Sequence, residues 1–206
     1  EDEFVGATGC VANYCTLDQF ENVEFALPGE YLEYAEKVNI PCENPYEEKN
    51  RLSGFAMLIC RSALNKAGAL DEMFTPGYFE DEDLCMRIHA EGYRLVVCHN
   101  SFIYHAGSQS FIQREDLETI LAKNQKYMIQ KWGYDTFAYS VMLDLEKRLI
   151  DRIERKREDS FWVLVVGSGS GNALSRIKYL YPNAQVIGIE KNELAVQNAI
   201  KSLFIL

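Results

Sequence analysis

Four acids in a row, Glu80, Asp81, Glu82 and Asp83, open the segment FEDEDLCMRIHAEGYRLVVCHNSFIYHAG, and His105 lies near its end. The apolar spacing after the acids predicts an amphipathic helix from about Glu80 to Ala90, with Leu84, Cys85 and Ile88 on one side and Gly92 as its stop. Two apolar strands, YRLVVCH and SFIYH, follow, and the second returns His105 towards the helix start. Carboxylates facing an imidazole suit a site that takes a proton from an incoming hydroxyl beside a divalent metal ion. The same acids also complement the positive end of a helix dipole, and His105 also reads as a turn histidine satisfied by backbone. The alternating oxygen ligands and central glycine of a calcium loop are missing. His89, on the helix, and His99, at a strand end, read as structural.

A second constellation lies near the other end. FWVLVVGSGSGN reads as a buried strand entering a glycine-rich turn, ALSRIKYLY as a helix, and AQVIGIE as a second strand ending in Glu190, 23 residues after Gly167. ELAVQNAIKSL starts another helix. Gly167, Gly169 and Gly171 let such a turn approach a ligand, and an acid at the second strand end can take both hydroxyls of a ribose. A dinucleotide-binding fold and a tight turn without ligand are the alternatives.

Composition bounds what these groups can belong to. The chain has 206 residues, 48% of them hydrophobic, enough for one large domain or two small ones. A net charge of −10 argues against nucleic acid as a partner. Residues 1–113 carry 7 basic and 19 acidic side chains, net −12, whereas residues 114–206 carry 14 and 12, net +2. That asymmetry predicts two differently built units. The six cysteines form no C-x-x-C pair, so neither a zinc site nor a disulfide framework is expected, and a cytoplasmic location fits. No apolar run is long enough to span a bilayer, so membrane association is not indicated.

The remaining elements must position the two groups. Phe4–Gly6 predicts a short strand that gives way to a loop at ATGCVANY. Pro28 and the acids after it predict a helix starting near Gly29, and ENPYEEKNRL a surface loop. SGFAMLICR predicts a strand, and Ser62 a cap for a short helix that stops at Gly68. LDEMFTPGYF predicts a loop. Arg114–Trp132 predicts a helix with Leu117, Ile120, Leu121 and Tyr127 inward. Val141, Leu145, Leu149 and Ile153 recur at spacings of four and predict one long, solvated helix over Asp135–Arg157.

Several motifs in order resemble the acceptor half of family 2 glycosyltransferases, which invert the sugar they transfer. These are VGATGCVANY, SGFAMLICRSALNKAGALDE, the Glu-Asp-x-Asp-Leu-Cys-x-Arg helix start, the strand ending in His105, and NQKYMIQKWG. The match covers roughly residues 4–134. The resemblance implies a nucleotide-diphospho-sugar transferase domain of GT-A type, with a nucleotide-sugar donor and a glycan or lipid-linked glycan acceptor. It assigns Asp81 as the base, Glu80 as its assistant, and His105 to the shell of a Mn²⁺ or Mg²⁺ ion. Asp83 is expected at the substrate or as a brace on Arg87, and Gly54 where backbone approaches the donor sugar. The family's nucleotide-binding strands and its metal-holding Asp-x-Asp lie upstream of the equivalent of Phe4, so the chain is expected to carry the catalytic half without its donor half.

The turn G-S-G-S-G-N is similar to the first motif of class I S-adenosylmethionine-dependent methyltransferases, although Val166 stands where those enzymes usually have an acid. That resemblance implies S-adenosylmethionine as cofactor, held by Gly167, Gly169, Gly171 and Glu190. The expected α/β organisation is a partial GT-A domain over residues 1–134, a helical linker over 135–160, and the first β-α-β-α of a Rossmann-like methyltransferase domain over 161–206. The activity expected of the parent is sugar transfer in bacterial cell-surface polysaccharide synthesis. The alternatives are methyl transfer beside a degenerate glycan-binding domain, and an inactive fragment.

Overall fold

The computed structural model describes residues 4–15, 19–107, 115–140 and 144–203. It is an α/β protein whose larger sheet is mixed. Val5–Ala12 (β1), Tyr46–Lys49 (β2), Met57–Ile59 (β3) and Arg94–Ile103 (β4) line up in the order β2-β4-β1-β3. β1 and β4 run parallel in the middle, and β2 and β3 flank them antiparallel. Small residues make β1 a strand that neighbours can approach closely. A Cβ on Gly6 would lie 2.6 Å from Tyr93 Cβ, and one on Gly9 2.6 Å from the Gln19 amide nitrogen. Helices Pro28–Val38 (α1), Arg61–Ala67 (α2) and Glu80–Ala90 (α3) cover this sheet, and Leu84, Cys85 and Ile88 of α3 enter its core as their spacing predicts.

Three expectations are revised here. β1 continues to Ala12 instead of ending at Gly6, because β4 supplies ladder partners along its length and Gln19 accepts the Ala12 N–H at 2.9 Å. The polar stretch ENPYEEKNRL contains the edge strand β2, whose Glu47 and Lys49 turn inward and pair with each other at 2.8 Å. The two strands foreseen over YRLVVCH and SFIYH are one strand, β4, whose register against β1 jumps from Cys10–Cys98 to Val11–Phe102. Asn39 repairs the interruption by bonding both the N–H and the carbonyl of Phe102, at 2.5 and 3.0 Å.

Leu117–Trp132 (α4) buries Ile120, Asn124 and Met128. Its expected start at Arg114 lies outside the described residues. Helix is described at Thr136–Ser140 (α5) and Asp144–Ile150 (α6), and turns follow Ile150, so the helix foreseen over Asp135–Arg157 does not reach Arg157. Val141 lies outside the described residues. Ile150 is buried against Ala173 and Ile177 with Ile153 packed beside them, while Leu149 is exposed.

Trp162–Val166 (β5) and Gln185–Ile189 (β6) form a two-stranded parallel sheet. Asn172–Leu180 (α7) packs on one face of it, against Val163, Val165 and Val186. β5 is therefore not a strand buried on both sides. Trp162, Leu164, Val166, Ile187 and Ile189 make the other face, each between 47% and 76% exposed. Glu193–Leu203 (α8) turns away from that face and packs on α3, placing Ala195 in a cluster with Phe74, Met86, Met128 and Tyr134. α7 lies on β2, where Arg176 bonds Glu47 at 2.9 Å and Tyr179 bonds the Asn44 carbonyl at 2.8 Å. Among the described residues, no helix is long and apolar enough to cross a membrane.

Candidate functional site

The start of α3 is held under tension. Tyr78 and Phe79 both adopt left-handed backbone, with φ of 73° and 74°, a conformation that costs a bulky residue about 1–3 kcal/mol. Phe79, at the N-cap, supplies no side-chain cap to the helix. The buried Asn124 of α4 compensates, its amide donating towards the carbonyls of Phe74, Gly77 and Tyr78 at 2.8, 2.8 and 3.2 Å. One helical turn on, Asp83 is fully buried and accepts from Arg87 Nε at 2.8 Å, Lys131 Nζ at 2.8 Å and Trp132 Nε1 at 2.9 Å. The structure thus places Asp83 as a brace joining α3 to the Lys-Trp pair of α4, away from any surface a substrate could reach.

Asp81 faces the other way. One carboxylate oxygen accepts the Gly54 N–H at 2.8 Å and the other the Glu82 N–H at 2.9 Å. Gly54, which is exposed, thereby touches the expected base; a Cβ there would lie 3.1 Å from Asp81 Cβ. Burial pushes the neighbouring Glu80 carboxyl above its ordinary pKa, the Asp81 charge adds to that, and backbone bonds oppose it. Glu80 Oε2 is buried without a hydrogen-bond partner. Glu82 lies deeper, 3.4 Å from Arg51, and burial raises its pKa as well.

His105 meets this group through residue 55. Phe55 stacks on the imidazole with centroids 4.8 Å apart and planes 12° apart, while its neighbour Gly54 holds Asp81. The His105 Nδ1 donates to the Tyr14 carbonyl. Asn13 fixes the backbone of His105 on both sides, at 2.9 and 3.2 Å. Among the described residues no group of three or more His, Cys, Asp or Glu side chains converges to hold a metal ion. His105 is flanked by the rings of Phe55 and Tyr14. His89 and His99 are structural: His89 is buried against the carbonyls of Tyr93 and Asn50, and His99 bonds Glu47 at 2.7 Å.

The glycine-rich turn links β5 to α7. Gly167, Gly169 and Gly171 have φ of 77°, 53° and 90°, so each stands where a side chain would strain the backbone. A side chain at Gly167 would meet nothing within 4 Å, whereas one at Gly169 would strike the Tyr139 carbonyl oxygen at 2.6 Å. Gly169 donates to Glu190 Oε2 at 3.1 Å, and Asn192 donates to the other oxygen at 2.9 Å. Backbone bonds from Asn192 and Gly169 hold the Glu190 carboxyl below its ordinary pKa. The other turn amides are also engaged. Gly167 and Ser168 donate to Ile189 O at 2.7 and 3.1 Å, Ser170 to Tyr139 O at 2.9 Å, and Gly171 to Ser168 O at 2.9 Å.

No family model, curated protein or solved structure matches the chain. Residues and geometry alone therefore bear on its chemistry. They bring Glu80, Asp81, Gly54, Phe55 and His105 to one surface of the first sheet, and Gly167, Gly169, Gly171 and Glu190 to one turn of the second. Asp83 is set apart from both. Sequence reasoning missed Phe55, Asn13 and Asn124, whose residue types carry no chemical signature; the double aromatic Tyr78-Phe79 before an acid-rich helix is the only local hint of a held turn.

Proposed function

We propose that the chain carries the acceptor side of an inverting glycosyltransferase, moving a sugar from a nucleotide-sugar to a glycan or lipid-linked glycan at the cytoplasmic side of polysaccharide synthesis. The observation that supports this reading is the fixed Asp81 carboxylate, held between Gly54 and the α3 backbone beside the Phe55–His105 stack. A carboxylate so anchored can take the acceptor hydroxyl proton as that oxygen bonds to the anomeric carbon. The bond from that carbon to the diphosphate breaks at the same time, and the nucleoside diphosphate leaves with the electron pair. Glu80, with an unfilled oxygen and a raised pKa, is suited to hold the acceptor hydroxyl while Asp81 receives its proton. The planar face of Phe55 offers a wall for a sugar ring.

Release of nucleoside diphosphate from nucleotide-sugars in the presence of glycan acceptors, measured with the full-length protein, tests this. Asp81→Asn is expected to lower kcat by about 10²–10⁴ without changing the melting temperature. Turnover equal to wild type would remove Asp81 from the role. Full activity in Asp81→Asn with loss in Glu80→Gln would transfer the role to Glu80.

A second activity is favoured by the open side of Gly167 and the ionised Glu190 at the end of β6: binding of S-adenosylmethionine for methyl transfer. Calorimetric titration with S-adenosylmethionine, in wild type and Glu190→Gln, reads it directly. Binding of equal strength in both would take Glu190 out of the site.

A further inference from the structure

α5 stands between the two candidate sites and touches both. On one side the Tyr139 carbonyl accepts the Ser170 N–H at 2.9 Å and lies against Gly169, where an added Cβ would be 2.6 Å away. On the other side the Phe137 ring lies under the Arg51 guanidinium at 5.1 Å and against Phe79 at 6.2 Å. Arg51 pairs with Glu82, and Phe79 is the residue before Glu80. We infer that α5 is a displaceable stopper of the glycine-rich turn, and that a ligand entering the turn must lift Tyr139 off Ser170 and so withdraw Phe137 from the acidic helix start. The inference rests on S-adenosylmethionine as the ligand of the turn.

Two observations say that the stopper is lightly held. Phe137 remains 43% exposed despite its contacts. The polar groups at its root are also poorly matched. The Tyr134 hydroxyl lies beside Ser170 without closing a hydrogen bond, and the Thr136 hydroxyl stands likewise beside Glu82. Buried polar groups left this way are stabilised by any rearrangement that gives them partners. The Ser170 amide is the one turn donor bound to a carbonyl outside β5, α7, β6 and their connecting turns. It is therefore the donor that a ligand can claim by displacing α5.

The test uses the full chain, with Phe137→Ala and Tyr139→Ala made separately so that one folded variant suffices. Amide exchange at Ser170, followed by NMR without ligand, reads whether the stopper is loosened. Calorimetric titration with S-adenosylmethionine reads affinity. Faster Ser170 exchange together with binding at least ten-fold tighter than wild type is the expected result. Unchanged exchange in both variants would overturn the stopper itself. Faster exchange with affinity equal to wild type would overturn its control of the site while leaving S-adenosylmethionine as the ligand. Faster exchange with no binding in any form would overturn the ligand assignment and the inference with it.

Discussion

Glu47 is the place where the two halves of the chain can be pulled apart thermodynamically. It is buried on β2 and bonded to His99 at 2.7 Å, Lys49 at 2.8 Å and Arg176 of α7 at 2.9 Å. Burial alone would raise its pKa, but these partners outweigh burial and bring it from 4.5 down to about 2. That fall is worth about 3 kcal/mol, at about 1.4 kcal/mol per pH unit. Because the folded value lies below the unfolded one, this stability is complete above about pH 5 and is lost as the pH falls towards 2. A double-mutant cycle of Glu47→Gln and Arg176→Gln in urea isolates the share that ties α7 to β2. A charge-assisted bond predicts a coupling of about 1.5–3 kcal/mol at pH 7. The coupling should persist at pH 4, where an ordinary glutamate is largely protonated. A coupling under about 0.5 kcal/mol at pH 7, or one already gone at pH 4, would refute the argument that α7 docks on β2 through an ionised Glu47.

Asp83→Ala leaves Arg87 and Lys131 without their buried partner and should cost about 3–5 kcal/mol in urea unfolding, far more than a surface acid. Asn124→Ala removes the donor that faces three carbonyls and should cost about 1–3 kcal/mol, with faster amide exchange over residues 74–79 as the local sign. Glu48 behaves oppositely to its neighbour: burial raises its pKa to about 7, so it weakens the fold as the pH rises from 4.5 through 7. Glu48→Gln should match wild type in urea midpoint near pH 4 and exceed it at pH 8; equal midpoints at both would disprove the burial effect.

Where one periodicity dominated, the sequence was read correctly. α1 and α3 have apolar spacing of helical period, and Gly68 and Gly133 close α2 and α4 as helix stops. β2 was lost because Tyr-Glu-Glu-Lys looks solvated until Arg176 and His99 arrive from elsewhere to pair its charges; no local signal carries that information. The end of the linker differs for a related reason. A stripe at Val141, Leu145, Leu149 and Ile153 suits one continuous helix, but turns follow Ile150, which packs against α7 beside Ile153 while Leu149 stays exposed. In the candidate site the acids and His105 were legible from their chemistry. Their connection was not, since it runs through the backbone N–H of Gly54 and the ring of Phe55.

The open face of β5 and β6 sets how this protein behaves in a test tube. Five large apolar side chains there are exposed on a sheet that is two strands wide among the described residues. A net charge of −10 at neutral pH makes whole molecules repel one another. That force fades towards the isoelectric point near pH 4.9 and is screened by salt. Colloidal stability should therefore be greatest in dilute buffer well above neutrality, with Trp162 reporting the onset of association through its fluorescence.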